Sequence, residues 1–158
     1  MNNAKILDTE CYKDYWLLSL KCASTGKVRE FELYEGQPLN RQAISNIMKK
    51  HLTVSFNGLG YDLPMIAAAL KGWSNENLKK LSDKLILSGK PAWLVCKELK
   101  LWIPKEWDHI DIINVAPGQA SLKIYGGRLH SKKLQDLPIE PDQSITPDLR
   151  PLMRSYCV

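Results

Sequence analysis

Apolar and polar positions first alternate in short runs and then lengthen into helical spacing. Ala4 to Leu7 is a short apolar run, and Tyr15 to Leu20 mixes aromatic with aliphatic residues. Val28 to Tyr34 alternates, with Val28, Glu30, Glu32 and Tyr34 on one side and Arg29, Phe31 and Leu33 on the other. Period two of this kind predicts strands, and the Gly26 turn joins the last two as an antiparallel hairpin. Asn40 is placed to cap a helix running through Lys50, whose Ala43, Ile44, Ile47 and Met48 fall at helical spacing. Leu52 to Phe56 reads as a buried strand ending in the turn signal Asn57-Gly58.

Beyond Tyr61 the pattern is helical, with Met65, Ile66, Ala69 and Leu70 on one face and Gly72 as the stop. A second helix fits Asn75 to Leu87. Lys97 to Trp107 is irregular, His109 to Val115 is a short strand, and Ala120 to His130 is helical despite Gly126-Gly127. Three prolines make Leu137 to Pro147 a loop, and Asp148 opens a last helix. The order β-β-β-α-β-α-α-β-α-α predicts one α/β domain over 1–158, a mixed β-sheet flanked by helices.

Composition narrows the class. With 158 residues, 44% hydrophobic and 25% charged, the chain can bury a core and does not resemble a disordered polymer. Its apolar runs are too short to cross a bilayer and no basic-then-apolar leader opens it, so a soluble, cytoplasmic protein with no membrane partner is expected. Cys11, Cys22, Cys96 and Cys157 form no metal-type pair with each other or with His51, His109 and His130, which predicts reduced thiols and no structural zinc. The net charge is +5, and Lys123, Arg128, His130, Lys132 and Lys133 crowd one stretch without an acid. Beside Tyr125, that stretch reads either as a solvated face or as a grip on single-stranded nucleic acid, with the ring offering a base a stacking surface. Most of the five tryptophans, Trp16, Trp73, Trp93, Trp102 and Trp107, are expected to pack in the core or at its rim.

Candidate chemistry begins at Ile6-Leu7-Asp8-Thr9-Glu10. Residues two apart on a strand share a face, so Asp8 and Glu10 project side by side and repel unless a cation lies between them. Asp8 as a turn residue and Glu10 as a solvated one is the plainer alternative. The segment Val54 to Pro64 is a strand, a glycine-bearing loop and a helix start that carries Asp62, which is either a simple cap or a third carboxylate facing the first two. Asp111 reads either as a supporting carboxylate near such a site or as a solvated strand end.

Together these segments resemble the DEDD superfamily of 3′–5′ exonucleases. Asp8 and Glu10 match its D-x-E motif, and Phe56, Asn57, Gly58, Tyr61 and Asp62 match F-N-G-x-x-Y-D. Tyr156 matches the start of Y-x-x-x-D, the third motif of the tyrosine subgroup; the aspartate of that motif would fall past Val158. The runs Leu122 to Leu129 and Lys133 to Pro138 look like the proofreading region of phage-type family A DNA polymerases. The resemblance implies a ribonuclease H-like fold and a two-metal Mg²⁺ or Mn²⁺ site held by Asp8, Glu10 and Asp62, with Tyr156 orienting the attacking water. It implies that Thr9, through its amide, and Asn57 meet the terminal nucleotide of a single-stranded DNA 3′ end, with Tyr61, Lys123 and Arg128 as further substrate contacts. A DNA polymerase domain or subunit is the expected protein partner. Without the third-motif aspartate, weak or absent hydrolysis is expected of this chain, and a degenerate module binding single-stranded nucleic acid or a polymerase is the alternative. DNA and RNA are not distinguished.

Overall fold

A computed structural model describes residues 3–118, 120–131 and 136–157. Five strands, β1 (Lys5–Cys11), β2 (Trp16–Cys22), β3 (Val28–Leu33), β4 (Thr53–Ser55) and β5 (His109–Asp111), form one mixed sheet in the order 3-2-1-4-5. β2 is antiparallel to both β1 and β3, whereas β4 is parallel to β1 and to β5. The helices are α1 (Arg41–Lys50), α2 (Asp62–Leu70), α3 (Asn75–Leu87), α4 (Ala92–Glu98), α5 (Leu122–Arg128) and α6 (Arg150–Tyr156).

Each strand of the hairpin sorts its side chains by parity. Trp16, Leu18 and Leu20 enter a large core with Leu7, Phe31, Ile44, Met48, Ile66, Leu78 and Val95, which lies between the sheet and helices α1 to α4. Leu17 faces the other way, into a second cluster with Tyr12, Tyr15, Ile139, Ile145, Met153 and Cys157. The C-terminal segment therefore covers the opposite face of the sheet. α2 carries almost no polar side, as eight of its nine residues are buried, so it is the helix packed deepest. Trp16 and Trp107 are core residues and Trp73 packs at the rim, as expected of most of the five, while Trp93 and Trp102 are each two-thirds exposed.

Local signals explain most element ends. Asn40 Oδ1 accepts from Ala43 N (3.1 Å) at the start of α1, as its sequence position predicts. α2 stops at Gly72 in the left-handed region (φ 84°), where Gly72 N–H reaches Ala69 O and Trp73 N–H reaches Ala68 O. α4 was not foreseen in the sequence. It is short, buries only Val95 and Cys96, and ends in the same hydrogen-bond pattern with Lys100 (φ 51°) where glycine is usual. β5 is shorter than predicted: Asp111 Oδ1 accepts from Ile113 N (3.2 Å) and turns the chain into a single 3-10 turn over Ile112–Asn114. Among the described residues no helix is long and apolar enough to cross a membrane.

Candidate active site

Strand parity alone sets the first two carboxylates. Leu7, Thr9 and Cys11 of β1 are buried toward the main core, so Asp8 and Glu10 face the side covered by α6. β1 pairs with β4 only at Lys5–Thr53 and Ile6–Val54, so both acids lie past that pairing, in the crevice at the carboxyl ends of two parallel strands.

Asp62 opens α2 and reaches β1 between them. Its Oδ1 accepts from Thr9 N (3.1 Å) and from Thr9 Oγ1 (2.6 Å), while Oδ2 has no hydrogen-bond donor among the described residues. The Thr9 amide, expected to meet a nucleotide, is thus committed to Asp62. The loop between β4 and α2 is held from below by Asp111, whose Oδ1 accepts from Asn57 N (2.7 Å) and whose Oδ2 accepts from Leu59 N (2.9 Å). Asp111 is buried, so it is a supporting carboxylate and not a solvated strand end. Asn57 is left-handed (φ 62°) and exposed. A side chain at Gly58 would collide with Ser55 Oγ and His109 Nε2, so only glycine fits there. Those two atoms meet at 3.3 Å, and His109 Nδ1 lies 2.9 Å from Thr53 Oγ1. Thr53 Oγ1 gives its proton to Asp108 O, so it accepts from Nδ1–H, and His109 is the Nδ1-protonated tautomer with Ser55 donating to Nε2.

The far end of the chain closes the site. α6 is anchored by Met153 in the second cluster and by Arg154, whose Nη1 donates to Glu32 Oε1 at 3.1 Å. Tyr15 O–H donates to the same oxygen at 2.7 Å. This anchoring sets Cys157 Sγ 3.6 Å from Asp8 Oδ2 as donor. Ligand atoms of Asp8, Glu10 and Cys157 all lie within 4.8 Å of one another, and Asp62 stands outside that tight set. Nothing in the sequence marked Cys157.

Charge and burial act together here. Asp8 keeps an exposed side, but the protein crowded around its carboxyl strips away water and raises it to about 6, partly offset by hydrogen bonds from Cys157 and Thr9. Glu10 rises to about 8 through burial, then through the charges of Asp8 and Asp62. Burial and Asp8 raise Asp62 to about 7 against the two Thr9 bonds. Tyr156 is raised by burial and then by Glu10 and Asp8, so its hydroxyl keeps its proton at neutral pH. Three carboxylates that resist ionising together suit a divalent cation, whose charge would reverse each of these shifts. Oxygen donors from Asp8, Glu10 and the free Oδ2 of Asp62 fit the hard ions Mg²⁺ and Mn²⁺; the Cys157 thiol is a softer neighbour.

The remaining expected contacts divide. Tyr61 O–H meets Ser82 Oγ at 2.7 Å, inside the packing of α2 on α3. Lys123 pairs with Asp136, and the Arg128 guanidinium lies 6.0 Å from the Tyr125 ring centroid. Tyr125 also packs on Phe56 (5.8 Å between centroids), which brings α5 beside the Asn57 loop. Lys132 and Lys133 lie outside the described residues. In comparisons with known proteins, no family model, no curated protein and no solved structure matches this chain.

Proposed function

We propose that this chain is a 3′–5′ exonuclease domain that hydrolyses the terminal phosphodiester of single-stranded DNA with divalent metal. The observation that carries the reading is the convergence of Asp8, Glu10, Asp62 and Tyr156 from β1, α2 and α6 on one crevice. The strand order 3-2-1-4-5 with β2 antiparallel supports a ribonuclease H-like fold for it. Asp8, Glu10 and Asp62 would hold two Mg²⁺ or Mn²⁺ ions, which supply an activated water and charge for the leaving 3′ oxygen. Tyr156 donates a hydrogen bond that orients the water. Asp111 fixes the loop that presents Asn57 to the terminal nucleotide, and Tyr125 offers the next base a ring.

A second reading has its own support. Asp8 Oδ2 already takes the Cys157 thiol and Asp62 Oδ1 already takes Thr9, so part of the site is satisfied without metal. A nucleic-acid-binding module on the same scaffold fits that observation. Mn²⁺ calorimetry and release of labelled mononucleotide from a single-stranded 3′ end separate the two. Saturable Mn²⁺ binding that falls at least ~100-fold in Asp8→Asn, with metal-dependent mononucleotide release, is the expected result. Oligonucleotide binding in EDTA without Mn²⁺ heat would replace the enzyme by the binding module.

A further inference from the structure

The opposite end of β1 carries a second, differently built cavity. It has a volume of about 480 Å³ and is lined by Lys5, Lys27, Arg29 and His51, with Val28 and Ile47 contributing apolar surface. Lys5 begins β1, Lys27 and Arg29 come from the β2–β3 hairpin, and His51 closes α1, so four positions distant in sequence converge. Among the described residues no carboxylate lines the cavity. Elsewhere Lys49, Lys79, Lys80, Lys84, Lys90, Lys123 and Arg154 each pair with an acid. Among the described residues, Lys5, Lys27, Arg29 and His51 form no such pair, and the Arg29 guanidinium rests on the Phe31 ring at 4.9 Å.

Three unpaired cations around one recess repel one another, and a bound anion relieves that repulsion, with the His51 ring beside it as a further hydrogen-bonding group. The volume lies within the range of small-ligand pockets. Cations beside an apolar wall select a ligand with an anionic head and a flat, apolar body. We infer that this cavity binds a nucleoside monophosphate, its phosphate among Lys5, Lys27, Arg29 and His51 and its base against Val28 and Ile47. The site is independent of the hydrolytic reading. Lys5 and Leu20 sit on the main-core face of the sheet, and the start of β1 lies about 17 Å along the strand from Glu10.

The test is titration of the full chain with dAMP in EDTA, read by calorimetry. Expected are saturation near ~1 mM or tighter, a loss of ~10-fold or more in Lys27→Glu, and no change in Asp8→Asn. Lys27 is an exposed turn residue, and an unchanged thermal transition of the variant shows that it folds. No saturation up to roughly 5 mM overturns the site. Equal affinity for inorganic phosphate overturns the nucleotide assignment. Binding of a short oligothymidylate but not of dAMP overturns it in favour of a backbone-tracking surface.

Discussion

The two ends of β1 solve opposite electrostatic problems by opposite means. At its carboxyl end, Asp8 and Glu10 are crowded by protein and meet Asp62 and a thiol. Buried partners fix the surroundings: Thr9 holds Asp62, and Asp111 holds the loop above it. At its amino end, Lys5 shares an open recess with cations that no acid neutralises among the described residues. The acidic end is therefore built for geometry and the basic end for field. Buried polar atoms keep their positions because leaving them unpaired is costly, whereas exposed lysines are free to follow a ligand.

The largest way to break this contrast is to unfix the acidic end alone. Asp111→Asn keeps one acceptor oxygen where two now serve the Asn57 and Leu59 amides. It should cost about 1–3 kcal/mol in chemical denaturation. Hydrogen exchange should speed up at Asn57 and Leu59 and stay unchanged in the Cys22–Lys27 turn. Equal loosening of both would show that the two ends are not separately built.

A smaller effect comes from pH. Asp8, Glu10 and Asp62 have folded-state values raised above those of an unfolded chain, so between about pH 4 and pH 8 the native state binds more protons. The stability from these groups is fully present below their unfolded values and is lost as pH rises through about 6 to 8. In EDTA the melting temperature should fall by about 5 °C or more from pH 5 to pH 8, and Mn²⁺ at pH 8 should restore it. A flat profile would remove the basis for crowding at the acidic end. Added salt sharpens the contrast, because screening should weaken nucleotide binding at the exposed end far more than it loosens the buried Thr9–Asp62 hydrogen bonds.

The smallest effect touches neither end. Lys100 occupies a left-handed position that costs a side chain energy, so Lys100→Gly should stabilise the fold by roughly 0.5–1 kcal/mol. Metal and nucleotide affinities should not change. A loss of stability would show that the Lys100 side chain contributes more than its backbone strain costs.

Lys100 also explains what the sequence concealed. Gly72 announced the end of α2, and α4 escaped notice because the same turn was closed by a lysine. Where a local rule governs, as at Asn40 or in α3 from Asn75 to Leu87, sequence and structure coincide. Period two likewise put Asp8 and Glu10 on one face. The Thr9–Asp62 lock, the Asp111 clamp and the Cys157–Asp8 contact join residues more than fifty positions apart. Spacing within one strand or helix carries no trace of such pairings. They became visible only when the sheet order placed β1 beside β4, and α6 over β1.

The Cys157–Asp8 contact spans 149 positions, nearly the length of the chain. During synthesis from the amino terminus, the sheet and helices α1 to α4 can assemble while the segment bearing α6 is still inside the ribosome. Until that segment docks through Arg154 on Glu32, Asp8 lacks its sulfur neighbour and Tyr156 is not yet in place. The acidic site thus matures after the sheet and helices α1 to α4, and a nascent chain can carry a folded core before it has a complete site.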